Sequence, residues 1–147
     1  MSHNLALILL PRTDPAALGA SPSEVTTFDE ASSSEVLGPS AAAVGDHTVV
    51  CDPTMTMFEL PAHPAAGTVV VELAGVADTY TLRVFGESPR FRVVAEGKVV
   101  EDQGVAVPAE QGLEEIDDPE DAHLELFCRL AGLARAELWE LVWAPLV

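Results

Sequence analysis

Residues Thr79–Glu101, TYTLRVFGESPRFRVVAEGKVVE, leave the backbone few options. Tyr80, Leu82 and Val84 alternate with Thr81, Arg83 and Phe85, the two-residue period of a strand with one face in a core. Gly86-Glu87-Ser88-Pro89 reads as a turn, Arg90–Val93 alternates again, and Glu96-Gly97 suits a two-residue hairpin loop that needs positive φ. Counting back from those turns pairs Val84 with Phe91, Leu82 with Val93 and Val93 with Val100, all on one face. The same register sets Arg83 directly across from Arg92, with Glu101 on the other side of Arg92. Like charges opposed in a sheet repel, so this arginine pair calls for an acidic neighbour.

The segments around this meander extend the sheet. Asn4–Leu10 (NLALILL) is apolar on both faces, as suits a central strand covered on each side, and Pro11 ends it. Asp14-Pro15 caps a short helical turn that closes at Gly19. Ser32–Leu37 and Ser40–Val44 read as brief helices separated by Gly38-Pro39. Thr48–Asp52, Thr54–Leu60 and Thr68–Ala74 read as strands bounded by Pro53, Pro61 and Gly75.

Gln103–Glu110 is a loop or short edge segment, and Gly112–Asp118 an acidic linker. The clearest helix follows. Asp118 is a good N-cap, Pro119 a favoured first residue, and Glu120 and Asp121 sit at the positive end of the helix dipole. Leu124, Phe127, Cys128 and Ala131 form one apolar stripe, and Gly132 is the expected stop. The tail, with Trp139 and Trp143, reads as a short turn followed by a strand. The expected fold is a single α+β domain over residues 1–147. It has a mainly antiparallel sheet of about six strands, with the 119–132 helix packed on one face.

Composition narrows function. With 147 residues the chain can bury a real core without metal or disulfide support. A formal charge of −17 opposes binding to nucleic-acid phosphates or to an anionic membrane surface. The apolar run Leu5–Leu10 is too short for a membrane span and lacks the basic flank of a secretory leader, so a cytoplasmic protein is expected. Cys51 and Cys128 then read as buried, reduced thiols. One lysine, one asparagine and abundant Ala, Val, Gly and Pro suggest a GC-rich bacterial genome.

Chemistry-bearing motifs are sparse. His47 and Cys51 share a strand face but lie about 13 Å apart at the usual rise, and His123 and Cys128 are some 140° apart around a helix. Neither makes a zinc pair. Glu120-x-x-His123 resembles half of a di-iron carboxylate motif, whose chemistry needs four ligand-bearing helices. Cys51-Asp52-Pro53 ends a strand, where loops carry function, but Asp52 raises the thiol pKa and opposes reactivity. No catalytic residue, metal or cofactor is assigned.

Charge placement is more specific. No lysine or arginine occurs from Thr13 to Leu82. Arg83, Arg90 and Arg92 then fall on one expected sheet face. Glu110, Glu114, Glu115, Asp117, Asp118, Glu120, Asp121 and Glu125 follow with no basic residue among them. Either this acidic stretch folds back as a lid, one of its carboxylates meeting Arg83 or Arg92, or it stays exposed and docks on a basic partner. Three classes stay open: an acidic module of immunity, inhibitor or antitoxin kind acting on a basic protein; an accessory subunit whose Trp-bearing tail self-associates or packs on another chain; and a small enzyme or ligand-binding domain with a site not visible in sequence.

Overall fold

The computed structural model describes residues 4–21, 23–33 and 38–146. Eight antiparallel strands make one sheet: β1 (Asn4–Leu10), β2 (Ser40–Val44), β3 (His47–Asp52), β4 (Val69–Ala74), β5 (Thr79–Val84), β6 (Arg90–Ala95), β7 (Lys98–Gln103) and β8 (Ala144–Pro145). Their spatial order is β7-β6-β5-β4-β1-β3-β2-β8. There is also a one-turn helix, α1 (Phe28–Ala31), and a long helix, α2 (Pro119–Ala131), which packs across β4 and β5.

β1 lies in the middle because its sequence tolerates burial on both faces. Leu5, Leu7 and Leu9 point to the helix side, where they meet Val71, Leu82, Phe127, Trp143 and other core residues. Ala6, Ile8 and Leu10 point to the other side and pack with Ala41, Val50, Phe58 and Leu60. Helix α2 starts and stops where its caps dictate. The Asp118 carboxylate accepts from the Glu120 N–H at 3.0 Å, and Gly132 leaves the helix at φ +76°. Leu124, Phe127, Cys128 and Ala131 are all buried, joined by Ala122 and Leu126. The turn Pro15–Leu18 is capped by Asp14 and closed by a left-handed Gly19.

Two segments outside the meander depart from expectation. Ser40–Val44 is strand β2, paired along β3, since a tertiary partner outweighs the modest helix preference of three alanines. The expected helix over 32–37 falls largely outside the described residues. Thr54–Leu60 forms no strand, because the buried Asp52 carboxylate collects this segment around itself. Its Oδ1 accepts from the Thr54 N–H (2.9 Å) and hydroxyl (2.6 Å), and its Oδ2 accepts from the Met57 and Phe58 N–H groups at 2.9 and 2.8 Å. Asp52, at the end of β3, thus organises the loop that follows. The tail forms a 3-10 turn over Arg135–Trp139 and then β8, with Trp143 fully buried.

The largest correction is in the meander. β5 and β6 pair one residue away from the expected register: Val84 faces Arg90, Arg83 faces Phe91 and Leu82 faces Arg92. Phe85 stays bound to the β4 side, donating to the Thr68 carbonyl and accepting from the Gly67 N–H, both at 2.9 Å. That leaves five residues in the connection where six were expected. A slip of one residue turns every side chain to the opposite face. Arg83 therefore lies on the face away from α2, its guanidinium 4.8 Å from the Phe91 ring centre, while Arg90 and Arg92 share the helix side with Leu82. The Glu96-Gly97 loop does have two positive φ values, +54° and +79°. Beyond it Val100 is an extra residue, since Val94 pairs with Val99 and Val93 with Glu101, so Arg92 faces Asp102 instead of Glu101.

Candidate functional site

On the helix side, β6 and β7 form one wall of a cleft of about 640 Å³, and residues 106–117 with the start of α2 form the other. The corrected register builds it: with Arg90, Arg92 and Val94 facing α2, the sheet edge presents two arginines to the segment that follows β7.

Arg90 closes the lower part of this cleft and is only 3% exposed. Its Nε–H and Nη2–H groups donate to the two oxygens of Glu110 at 2.9 and 2.8 Å, a planar two-point pair. Nη1 donates to the Asp102 carboxylate and to the carbonyls of Gln103 (3.1 Å) and Gly104 (3.3 Å). Glu110 also accepts from the Val107 N–H at 2.8 Å, which tightens its own turn. Gly104 lets the chain pass: at φ +86° a Cβ there would stand 2.2 Å from the Pro89 carbonyl oxygen. The hydrogen bonds that Arg90 donates to Glu110 raise the Arg90 pKa against the opposing effect of burial. Burial would raise the Glu110 carboxyl, but the Arg90 and Val107 bonds and the charges of Arg90 and Arg92 outweigh it and hold it low.

The acidic segment thus does fold back onto an arginine, and that arginine is Arg90. The expected contact was with Arg83 or Arg92. Arg83 is on the other face. Arg92 is half-buried in the cleft wall and makes no hydrogen bond or ion pair among the described residues.

His123, on the first turn of α2, forms another part of the wall. It is buried, stacks on Tyr80 with ring centres 5.3 Å apart, and places Nδ1 2.7 Å from the Pro119 carbonyl oxygen. A carbonyl accepts only, so Nδ1 carries the proton and Nε2 is left as an acceptor facing away from Pro119. Nε2 is out of solvent contact and has no partner among the described residues. Burial lowers the His123 pKa, opposed by the Pro119 bond and reinforced by the charge of Arg92. From the sequence, His123 enters only in the spacings to Cys128 and Glu120, neither of which places it in a cleft. Its four-residue spacing from Pro119 and its place on the sheet side of the cap were the available signals.

The remaining acidic residues divide. Asp118 is spent on the helix cap, Asp121 lies 3.3 Å from Arg135, and Glu120 is buried. Glu114, Glu115 and Asp117 are exposed and make no hydrogen bond or ion pair among the described residues. Glu114 and Asp117 also line the cleft. Elsewhere, Cys51 and Cys128 are buried and unbridged. Burial and the neighbouring Asp52 raise the Cys51 thiol, and burial first, then Glu125, pushes Cys128 up to about 11. Trp143 donates its indole N–H to the Leu138 carbonyl inside the core, so of the tail tryptophans Trp139 is the one that reaches the surface. Among the described residues no helix is long and apolar enough to cross a membrane, and no three His, Cys, Asp or Glu residues are grouped to hold a metal ion. Comparison of the chain with protein-family models, curated proteins and solved structures finds no match.

Proposed function

We propose that this protein is an acidic binding module, of the immunity, inhibitor or antitoxin kind, that acts in the cytoplasm on a basic protein partner. The observation that carries this reading is the exposed trio Glu114, Glu115 and Asp117, which makes no hydrogen bond or ion pair among the described residues and of which Glu114 and Asp117 line the cleft. Glu110, on the same segment, is consumed by Arg90. The Arg90 pair fixes the base of the segment, so the outer carboxylates are presented on an anchored turn. With a net charge of −17 behind it, such a ridge speeds encounter with a positive surface and repels nucleic acid. For the accessory-subunit reading, Trp143 is inside the core and Trp139 is the tail tryptophan left at the surface. The small-ligand reading gains one from the cleft, whose size and mixed lining are those of a ligand site.

Affinity capture from the native extract tests the docking reading. A partner retained at low salt should be released by added salt. It should also be lost when Glu114, Glu115 and Asp117 are all changed to Gln. A partner held equally by that variant, or held regardless of salt, would overturn the proposal.

A further inference from the structure

The cleft wall carries two polar groups that the fold itself does not use. Arg92 is half-buried and makes no hydrogen bond or ion pair among the described residues, so although its charge is felt by Glu110 its N–H donors are left without a protein acceptor. His123 Nε2 is a buried acceptor with no donor. The two attract opposite chemistry. Arg92 suits an anion, whereas Nε2 suits an N–H or O–H donor, and Glu114 and Asp117 at the mouth suit positive charge. Val94, Leu113, Ile116 and Ala122 line the same cleft and give it an apolar part.

From this combination we infer that the cleft binds a free α-amino acid with an apolar side chain. Its carboxylate pairs with Arg92, its ammonium donates to His123 Nε2 in the field of Glu114 and Asp117, and its side chain lies on the apolar wall. A simple anion fits less well, because a protein of net charge −17 repels it, while a zwitterion carries no net charge. A simple cation leaves Arg92 unmatched and adds repulsion. Because Nε2 is closed from solvent, binding requires the β6–β7 hairpin or the 113–117 turn to give way. The hairpin ends in β7, the exposed edge strand of the sheet, and local opening at an edge costs far less than unfolding the core. The inference rests on the cleft as a ligand site and is independent of partner docking.

Titration of ¹⁵N-labelled protein with L-leucine, L-leucinamide and N-acetyl-L-leucine tests it. L-Leucine should shift the amides of Val94, Ile116 and Ala122 saturably, and the two blocked forms should not. Arg92→Gln, at a half-buried site that the core does not need, should weaken leucine binding at least about tenfold, the usual loss for a charged hydrogen-bonded pair. His123→Asn should weaken it too while leaving amide shifts remote from α2 in place. Absence of saturable shifts with leucine, valine and phenylalanine at ~10 mM would overturn the inference. So would equal binding of either blocked form, or wild-type affinity in Arg92→Gln. Because Arg92→Gln keeps every ridge carboxylate, it should still capture the basic partner, and the two proposals fail separately.

Discussion

Arg90 shows how one side chain joins local and long-range structure. Alternation along β6 marks it as one of a set with Arg92, yet the two have opposite fates. Arg90 sits where the chain leaving β7 crosses back, so its donors meet Glu110, Asp102 and two carbonyls. Arg92, two residues along, meets open cleft. Replacing Arg90 with Met should strand the Glu110 carboxylate in a site that is 10% exposed. Breaking one side of a buried pair costs 3–5 kcal/mol where the survivor cannot move. Glu110 lies on a surface turn and can swing toward water, so a loss of about 3 kcal/mol is expected in urea denaturation. A change below about 1 kcal/mol would show that the network is peripheral to stability.

At the scale of elements, helix α2 is the one whose limits are set locally. Its N-cap, first-turn proline and terminal glycine act through neighbours only a few residues away, so they work in any tertiary context. Asp118→Ala removes the oxygen that accepts from the Glu120 N–H and should cost about 1 kcal/mol. An unchanged denaturation midpoint would argue that another group satisfies that N–H. The strands behave differently. β2 is alanine-rich and becomes a strand because β3 and β8 flank it. The β5–β6 register is set by the hold that Thr68 and Gly67 keep on Phe85, which sequence alternation does not record.

For the whole molecule, two groups link the cleft to pH. Burial holds the His123 imidazole below its ordinary value of 6.5. The unfolded chain therefore binds this proton more readily, and the contribution to stability is present above that pH and lost as the pH falls through the folded value. Glu110 is held below its ordinary 4.5 despite burial, mainly by the Arg90 bonds, so its contribution persists above that pH and fades at lower pH. Stability should decline from neutrality into acid in two stages, the imidazole first. Urea midpoints measured from about pH 8 to about pH 2 check this: His123→Asn should flatten the first stage and leave the second. Parallel curves for the two proteins would show that another group governs the first stage.

The sequence by itself determined what depends on neighbours along the chain: the caps and stripe of α2, the two-sided burial of β1, the Asp14–Gly19 turn and the positive-φ loop at Glu96-Gly97. Each is fixed by a dihedral preference, a hydrogen bond within a few residues, or a short periodicity. Only the tertiary structure decided which arginine meets the acidic segment. Strand pattern has a period of two, so a connection one residue shorter exchanges the faces, and the deciding contact comes from Gly67 and Thr68, just before the neighbouring strand β4. That exchange sent Arg83 to the far side, put Arg90 against Glu110, and left Arg92 and His123, 31 residues apart in the chain, lining one cleft.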